Sequence, residues 1–143
     1  MITKETKNSK NYIEAVGRRK SATVRVRIYP TSAPQDIKGK FVINDKDIKN
    51  YITTLRYREK ALAPLKLIGE DAVKAVSVKA VGGGIMAQAD AICLGLARAM
   101  TKLDGDLKKK FRAHGYLTRD PRAVERKKYG HSKARRGHQW RKR

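Results

Sequence analysis

Few residues in this 143-residue chain stand in a pattern able to carry covalent chemistry. Its three histidines, His114, His131 and His138, have no second ligand type beside them and no partnering carboxylate cluster. They imply neither a metal site nor a general base. Cys93 is the single cysteine, which excludes a disulfide framework and a zinc knuckle. Inside an apolar helical stretch it reads as a small buried hydrophobe rather than a reactive thiol. Gly82-Gly83-Gly84, between a strand pattern and a helix pattern, has two readings. One is a sharp turn using dihedrals closed to other residues; the other is a phosphate loop at a helix N-terminus. No Gly-Lys-Ser/Thr follows, so no Walker-type nucleotide site is implied and the structural reading is preferred. An enzyme with a catalytic centre or cofactor is not indicated. The chemistry present in abundance is that of cations.

Lysine and arginine number 35 against 13 acids, a net charge of +22 and a pI near 10.5. From Lys108 to Arg143 fifteen cations face only Asp120 and Glu125, so this stretch carries +13 of that total. Its apolar residues, Leu117, Val124 and a few aromatics, follow no period of 3.6 or 2. Such a segment buries too little apolar surface to offset the entropy of ordering alone, so it takes its order from a polyanionic partner. Nucleic acid is the first reading. No apolar run approaches bilayer length and the stretch has no amphipathic hydrophobic face, so no membrane partner is implied. Residues 1–10 are polar without the apolar core of a secretory signal. They read as a disordered arm, residues 11–107 as one α+β domain, and 108–143 as a basic tail. A cytoplasmic location is expected.

Within the domain, Tyr12 to Val16 reads as a strand closed by a turn at Gly17-Arg18-Arg19-Lys20. Three cations in a turn expose their charge, either to solvent or to phosphate; the surrounding excess of charge favours phosphate. Ser21 to Tyr29 alternates, with Ala22, Val24, Val26 and Ile28 on one face and Thr23, Arg25, Arg27 and Tyr29 on the other. That predicts a half-buried strand with a positive outer face. Pro30 to Gly39 is a loop. Lys40 to Ile43 is a short strand broken by Asn44-Asp45, with Asp45 or Asp47 capping a helix to about Ile52. A second helix from Leu55 to Ala63 is ended by Pro64. Asp71 to Val81 is rich enough in valine to be a strand.

The longest helix starts after the glycine triplet. Ile85, Ala89, Ile92, Leu96, Ala99 and Leu103 form its core face. Ala87, Ala91 and Gly95 make a small-residue face that lets it lie close against a sheet, and Gln88 and Arg98 mark its polar side. Gly105 breaks it; Asp106 can cap a short helix from Leu107 to His114, stopped by Gly115. Asp120-Pro121 reads as the start of one helical turn through Val124-Glu125-Arg126, and the chain beyond Gly130 as extended. Asp120 is expected to pair with Arg119 or Arg122, and Glu125 with Arg122 or Arg126, orienting guanidinium groups.

The tail cations would neutralise phosphates and release counterions. Tyr116, Tyr129 and Trp140, spaced among them, would either stack on exposed bases or pack on the domain surface. A cationic tail suits the crevices of folded RNA, and no candidate recognition helix for duplex DNA is present.

Particular blocks are more specific. Gly17-Arg18-Arg19-Lys20-Ser21-Ala22, the turn Val81-Gly82-Gly83-Gly84 and the helix passing through Ala97-Arg98-Ala99 form one set. Leu117-Thr118-Arg119-Asp120-Pro121-Arg122, Glu125-Arg126-Lys127-Lys128-Tyr129-Gly130 and Lys133-Ala134-Arg135-Arg136, with a terminal Lys142-Arg143, form another. From Tyr12 to Arg143 the chain resembles the family of the ninth protein of the small ribosomal subunit, in its bacterial form. The resemblance implies an α+β fold: a four-stranded sheet with helices packed on it, like the second domain of ribosomal protein five. A left-handed β-α-β unit, an exception to the usual hand, and a long extended basic C-terminal tail belong to that expectation.

By the same resemblance the chain is a structural constituent of the small subunit in translation. Arg18, Arg19, Lys20, Arg119, Arg122, Arg126, Lys127, Lys128, Lys133, Arg135 and Arg136 would contact ribosomal RNA of the subunit head; Arg25 and Arg27, on the outer face of the second strand pattern, extend that patch. Arg141, Lys142 and Arg143 would reach peptidyl-site transfer RNA. Tyr129 and Trp140 are the candidates for base stacking. Neighbouring head proteins are implied as partners, and a stand-alone homo-oligomer, a metal and a cofactor are not. The family usually has Gly-Gln-Ala in the long helix, where this chain has Ala87-Gln88-Ala89, and Trp140-Arg141 replaces a serine-like residue before the terminal Lys-Arg. The alternative reading is a free-standing RNA chaperone or ribosome assembly factor.

Overall fold

Alternation of small apolar and polar residues builds the sheet. The computed structural model describes residues 12–30, 41–69 and 73–140, so the N-terminal arm, the 31–40 loop and the last three residues lie outside the description. Strands β1 (Ile13–Arg19) and β2 (Ala22–Tyr29) form a hairpin, in register from Ile13↔Ile28 to Arg19↔Ala22. Only Lys20-Ser21 turns it, with Lys20 at φ 51. The expected turn at Gly17-Arg18-Arg19 is therefore strand. Ala15, Gly17 and Arg19 point inward while Glu14, Val16 and Arg18 point outward, because the period of two runs through the glycine.

Strand β3 (Phe41–Ile43) turns at Asn44-Asp45 into β4 (Lys46–Asp47). Both turn residues have positive φ, 46 and 64, the twist a two-residue hairpin requires and one that Asn and Asp tolerate. Asn44-Asp45 thus makes a fifth strand where four were expected. The helix that follows shrinks to α1 (Ile48–Tyr51), and Asp47 precedes it without a side-chain capping bond. Helix α2 (Leu55–Ile68) runs past Pro64, the expected terminator, and ends at Gly69 with φ 106. Proline forfeits one helical hydrogen bond, but Ala61, Pro64 and Leu65 are all buried on the inner side of α2, and that burial offsets the cost. Strand β5 (Ala75–Val81) then pairs antiparallel with β2 and parallel with β3, giving the order β1-β2-β5-β3-β4.

Helix α3 (Ile85–Leu103) lies across β1 and β2 and carries α2 on its flank. Val24, Val26, Ile28, Ile43, Val76 and Val78 from the sheet meet Ala89, Ile92, Leu96, Ala99 and Met100 from α3 in one core. The ends of the expected core face, Ile85 and Leu103, are exposed. Gln88, expected on the polar side, is buried: it donates to the Gly82 carbonyl at 3.0 Å and accepts from the Tyr51 hydroxyl at 2.9 Å. Those bonds fasten the glycine turn, where Gly82 and Gly83 have φ near 70 and a Cβ on Gly83 would lie 2.8 Å from Ala22. The triplet is a packing device.

The core also extends beyond residue 107, the expected domain edge. Helix α4 (Leu107–Ala113) buries Phe111 completely, and Tyr116 and Leu117 pack after it. Asp106 begins α4 without a side-chain capping bond; instead its N–H donates to the Asp104 carboxylate at 3.0 Å. Gly115, at φ 74, turns the chain so that Tyr116 N–H returns to the Phe111 carbonyl at 3.0 Å.

Candidate nucleic-acid interface

The outer sheet face carries the first group of cations. Alternation along β2 and β5 turns Arg25, Arg27 and Lys79 away from the helices, around an open hollow floored by Ser77 and rimmed by Asn44 and Asp45. Glu14 on β1 lies within 3.4 Å of Arg25 and accepts from Arg27 at 2.8 Å. That bond chiefly holds the Arg27 guanidinium above its ordinary pKa, and the same group lies 4.8 Å over the Tyr12 ring. Arg18 and Lys20 are exposed at the hairpin end. Along β1, Arg98 and Lys102 of α3 donate to the Val16 and Glu14 carbonyls, at 2.9 and 2.8 Å. Cys93 is buried among helices, and burial pushes its thiol up to about 11.

Arg19 departs from expectation. Predicted to expose its charge in a turn, it is only 7% exposed, because its place in the alternation faces α3. Its guanidinium lies 3.5 Å from Asp90 and 2.9 Å from Asp120, and it donates to the Arg122 carbonyl. Lys60 of α2 meets the other Asp90 oxygen at 2.6 Å. Asp90 escaped the sequence reading, yet a signal existed: it is the only acid in nineteen residues of α3, and a carboxylate on an apolar helix implies a buried cation.

Asp120 explains why no helical turn follows Pro121. Its carboxylate accepts from the Arg122 N–H at 2.9 Å and from the Arg122 guanidinium at 2.7 Å, closing a local turn instead of capping a helix. The Arg122 bonds first, and Arg19 after them, hold that carboxyl well below the usual carboxylate range. Residues 121–128 are irregular. Glu125 pairs neither with Arg122 nor with Arg126; it grips Arg135 through two bonds, 2.7 and 3.0 Å. That pair closes a loop in which His131 bridges to Gly137 and the Ser132 N–H reaches the Arg136 carbonyl at 2.7 Å. Between His131 and Gly137 the chain closes on itself in a short loop.

Arg119, Arg126, Lys127, Lys128, Lys133 and Arg136 are exposed, and no carboxylate pairs with them among the described residues. Tyr129 and Trp140 are 95% and 81% exposed. Tyr116 takes the packing alternative, stacked 5.6 Å from His114 and 6.4 Å from Phe111. Arg141, Lys142 and Arg143 lie outside the described residues. Among the described residues no cluster of His, Cys, Asp and Glu could hold a metal, and no helix is long and apolar enough to cross a membrane.

Sequence comparison matches residues 17–143 to the ribosomal protein S9/S16 family. A small ribosomal subunit protein uS9 of Synechococcus sp. (strain JA-3-3Ab) is 47% identical over 131 residues, 89% of each chain. Protein uS9c of the alga Gracilaria tenuistipitata var. liui is 41% identical over 143 residues, 99% of this chain and 100% of that one. The uS9 of Nostoc punctiforme is 40% identical over the full length of both.

Proposed function

This chain belongs to the ribosomal protein S9/S16 family of structural, non-enzymatic proteins, and from that membership we propose how its two cationic surfaces divide their work. The protein is a constituent of the small ribosomal subunit in the cytoplasm. Arg18, Lys20, Arg25 and Arg27 on the body, and Arg119 to Arg136 along the tail, hold ribosomal RNA of the subunit head beside its neighbouring head proteins. Arg141, Lys142 and Arg143 reach the transfer RNA in the peptidyl site.

One observation carries this reading. In the tail beyond Leu117, carboxylates orient Arg122 and Arg135, whereas Arg119, Arg126, Lys127, Lys128, Lys133 and Arg136 are left exposed with no carboxylate partner among the described residues. Phosphate is the partner that completes this exposed set. Tyr129 and Trp140, exposed among them, offer ring faces to unstacked bases.

Sedimentation of a tagged copy from lysate, at moderate and at high salt, tests the assignment. Migration with the small subunit at both salts is expected of a built-in component. Loss at high salt would instead indicate a free-standing RNA chaperone or assembly factor held by charge alone.

A further inference from the structure

We propose that Arg19 is the positioning residue of the tail: anchored by Asp90, it holds Asp120 and the Arg122 carbonyl and so sets, before any RNA is bound, the direction in which the tail leaves the body. Three segments distant in sequence meet at this one guanidinium: the end of β1, the middle of α3 and the start of the tail. Its exposure of 7% distinguishes it from its neighbours Arg18 and Lys20, which are exposed. A guanidinium so enclosed, with carboxylates at 3.5 and 2.9 Å, is poorly placed to contact phosphate. Its fork reaches the Asp120 carboxylate and the Arg122 carbonyl through its terminal nitrogens, while Nε faces the Asp90 charge at 3.5 Å without a hydrogen bond. Lys60, at 2.6 Å from the second Asp90 oxygen, fixes the anchor from the α2 side.

The clamp stands where the chain leaves the body. Phe111, Tyr116 and Leu117 are the last apolar residues packed on the core. Arg122 is the last residue, among those described, joined to the body by a hydrogen bond or ion pair. Beyond it the bonds are local: Arg126 to the Lys127 carbonyl, Arg135 to Glu125, Ser132 to Arg136. From Arg122 to Arg143 the chain spans at most about 75 Å when extended, so a small angular freedom at the root displaces the tip far. Fixing the root restricts that search and lowers the ordering cost when the tail meets its partner.

The inference rests on the proposed RNA reading only for what the tail meets, and its test uses the free protein without RNA. Nitroxide labels are placed at Arg56→Cys on α2 and Ala123→Cys just past the clamp, in a Cys93→Ala background, and their distance distribution is measured by pulsed electron resonance. A single narrow distribution is expected. Asp120→Asn alters a surface group and leaves the Arg19–Asp90 contact, so the fold persists; it should broaden the distribution at least twofold, and Arg19→Met likewise. Asp120→Glu, which restores a carboxylate, should narrow it again. A distribution already broad in the labelled parent overturns the proposal. So does a width unchanged by Asp120→Asn in protein whose melting temperature is that of the parent.

Discussion

Gly17 of β1 and Gly95 of α3 meet at the closest approach of the long helix to the sheet. A methyl group on Gly17 would lie 1.8 Å from the Ala91 carbonyl oxygen and 2.7 Å from the Gly95 nitrogen. One on Gly95 would lie 2.8 Å from Val26 Cγ2 and 3.2 Å from the Gly17 nitrogen. The first clash is with helix backbone, which cannot yield without moving α3. The second is mainly with a side-chain methyl, which can.

Gly17→Ala is therefore expected to destabilise by about 3 kcal/mol or more, the upper range for overpacking. Gly95→Ala should cost about 1 kcal/mol, because alanine recovers roughly 1 kcal/mol of helix propensity. Urea denaturation midpoints check the order. Equal losses would show that the helix does not rest on β1 at Gly17.

Phe111→Ala should lose about 3–5 kcal/mol, the usual range for a fully buried aromatic. It should also raise hydrogen exchange at Tyr116 and Leu117, which pack after it. Normal stability in this variant would mean that α4 is no part of the core.

Asp120 sets a pH dependence. Its folded-state pKa is depressed, by the Arg122 bonds and then by Arg19, so its contribution is fully present above the ordinary Asp value of 3.8 and is lost as pH falls from there toward the folded value. The tail root should be as ordered at about pH 5 as at neutrality. A carboxyl-carbon NMR titration should place the Asp120 midpoint below 3.8 and move it upward in Arg122→Ala. A midpoint at the ordinary value would rule out the bonded geometry.

Arg98 and Lys102 donate to backbone carbonyls of β1, the edge strand of the sheet. An open strand edge is a template for pairing with a second chain. The double variant Arg98→Ala, Lys102→Ala is expected to self-associate more readily in sedimentation velocity at low salt. A monomer at the same concentration would show that the two side chains do not guard this edge.

Trp140→Ala and Tyr129→Ala should each weaken binding to head ribosomal RNA by about 1–3 kcal/mol if its ring carries a stacked base, with the salt slope kept. Lys127→Ala should instead lower the salt slope by about one unit. Deletion of Trp140 to Arg143 should weaken peptidyl-site transfer RNA while assembled subunits form normally, as read by filter binding. Subunits lacking the protein would contradict the division of labour between body and tail.

Much of the body is legible in the chain because its cause is local. The alternation of Ala22, Val24, Val26 and Ile28 is the buried face of β2, and the spacing of Ala89, Ile92, Leu96 and Ala99 is the buried face of α3. The small face of Ala87, Ala91 and Gly95 announced the close contact with the sheet. Local signals also misled. Pro64 and Asn44-Asp45 are marks of interruption, yet one continues a helix and the other creates a strand, because packing and pairing outweighed the propensity. Arg19 was hidden by its own sequence neighbours, a run of cations that reads as exposed until the register of β1 turns it inward.

By itself the sequence determines composition, period and charge: the buried faces of β2 and α3, and a C-terminal third dense in cations and poor in apolar residues. Which cations are held by carboxylates or carbonyls and which stay exposed was decided only in three dimensions. Arg19 and Arg122 are 103 residues apart in the chain, Arg98 and Val16 are 82 apart, and Glu125 passes over its near arginines for one ten residues away. An ion pair depends on distance in space. Only the folding of β1 against α3, with the tail returning beside them, brings these charges within reach of one another.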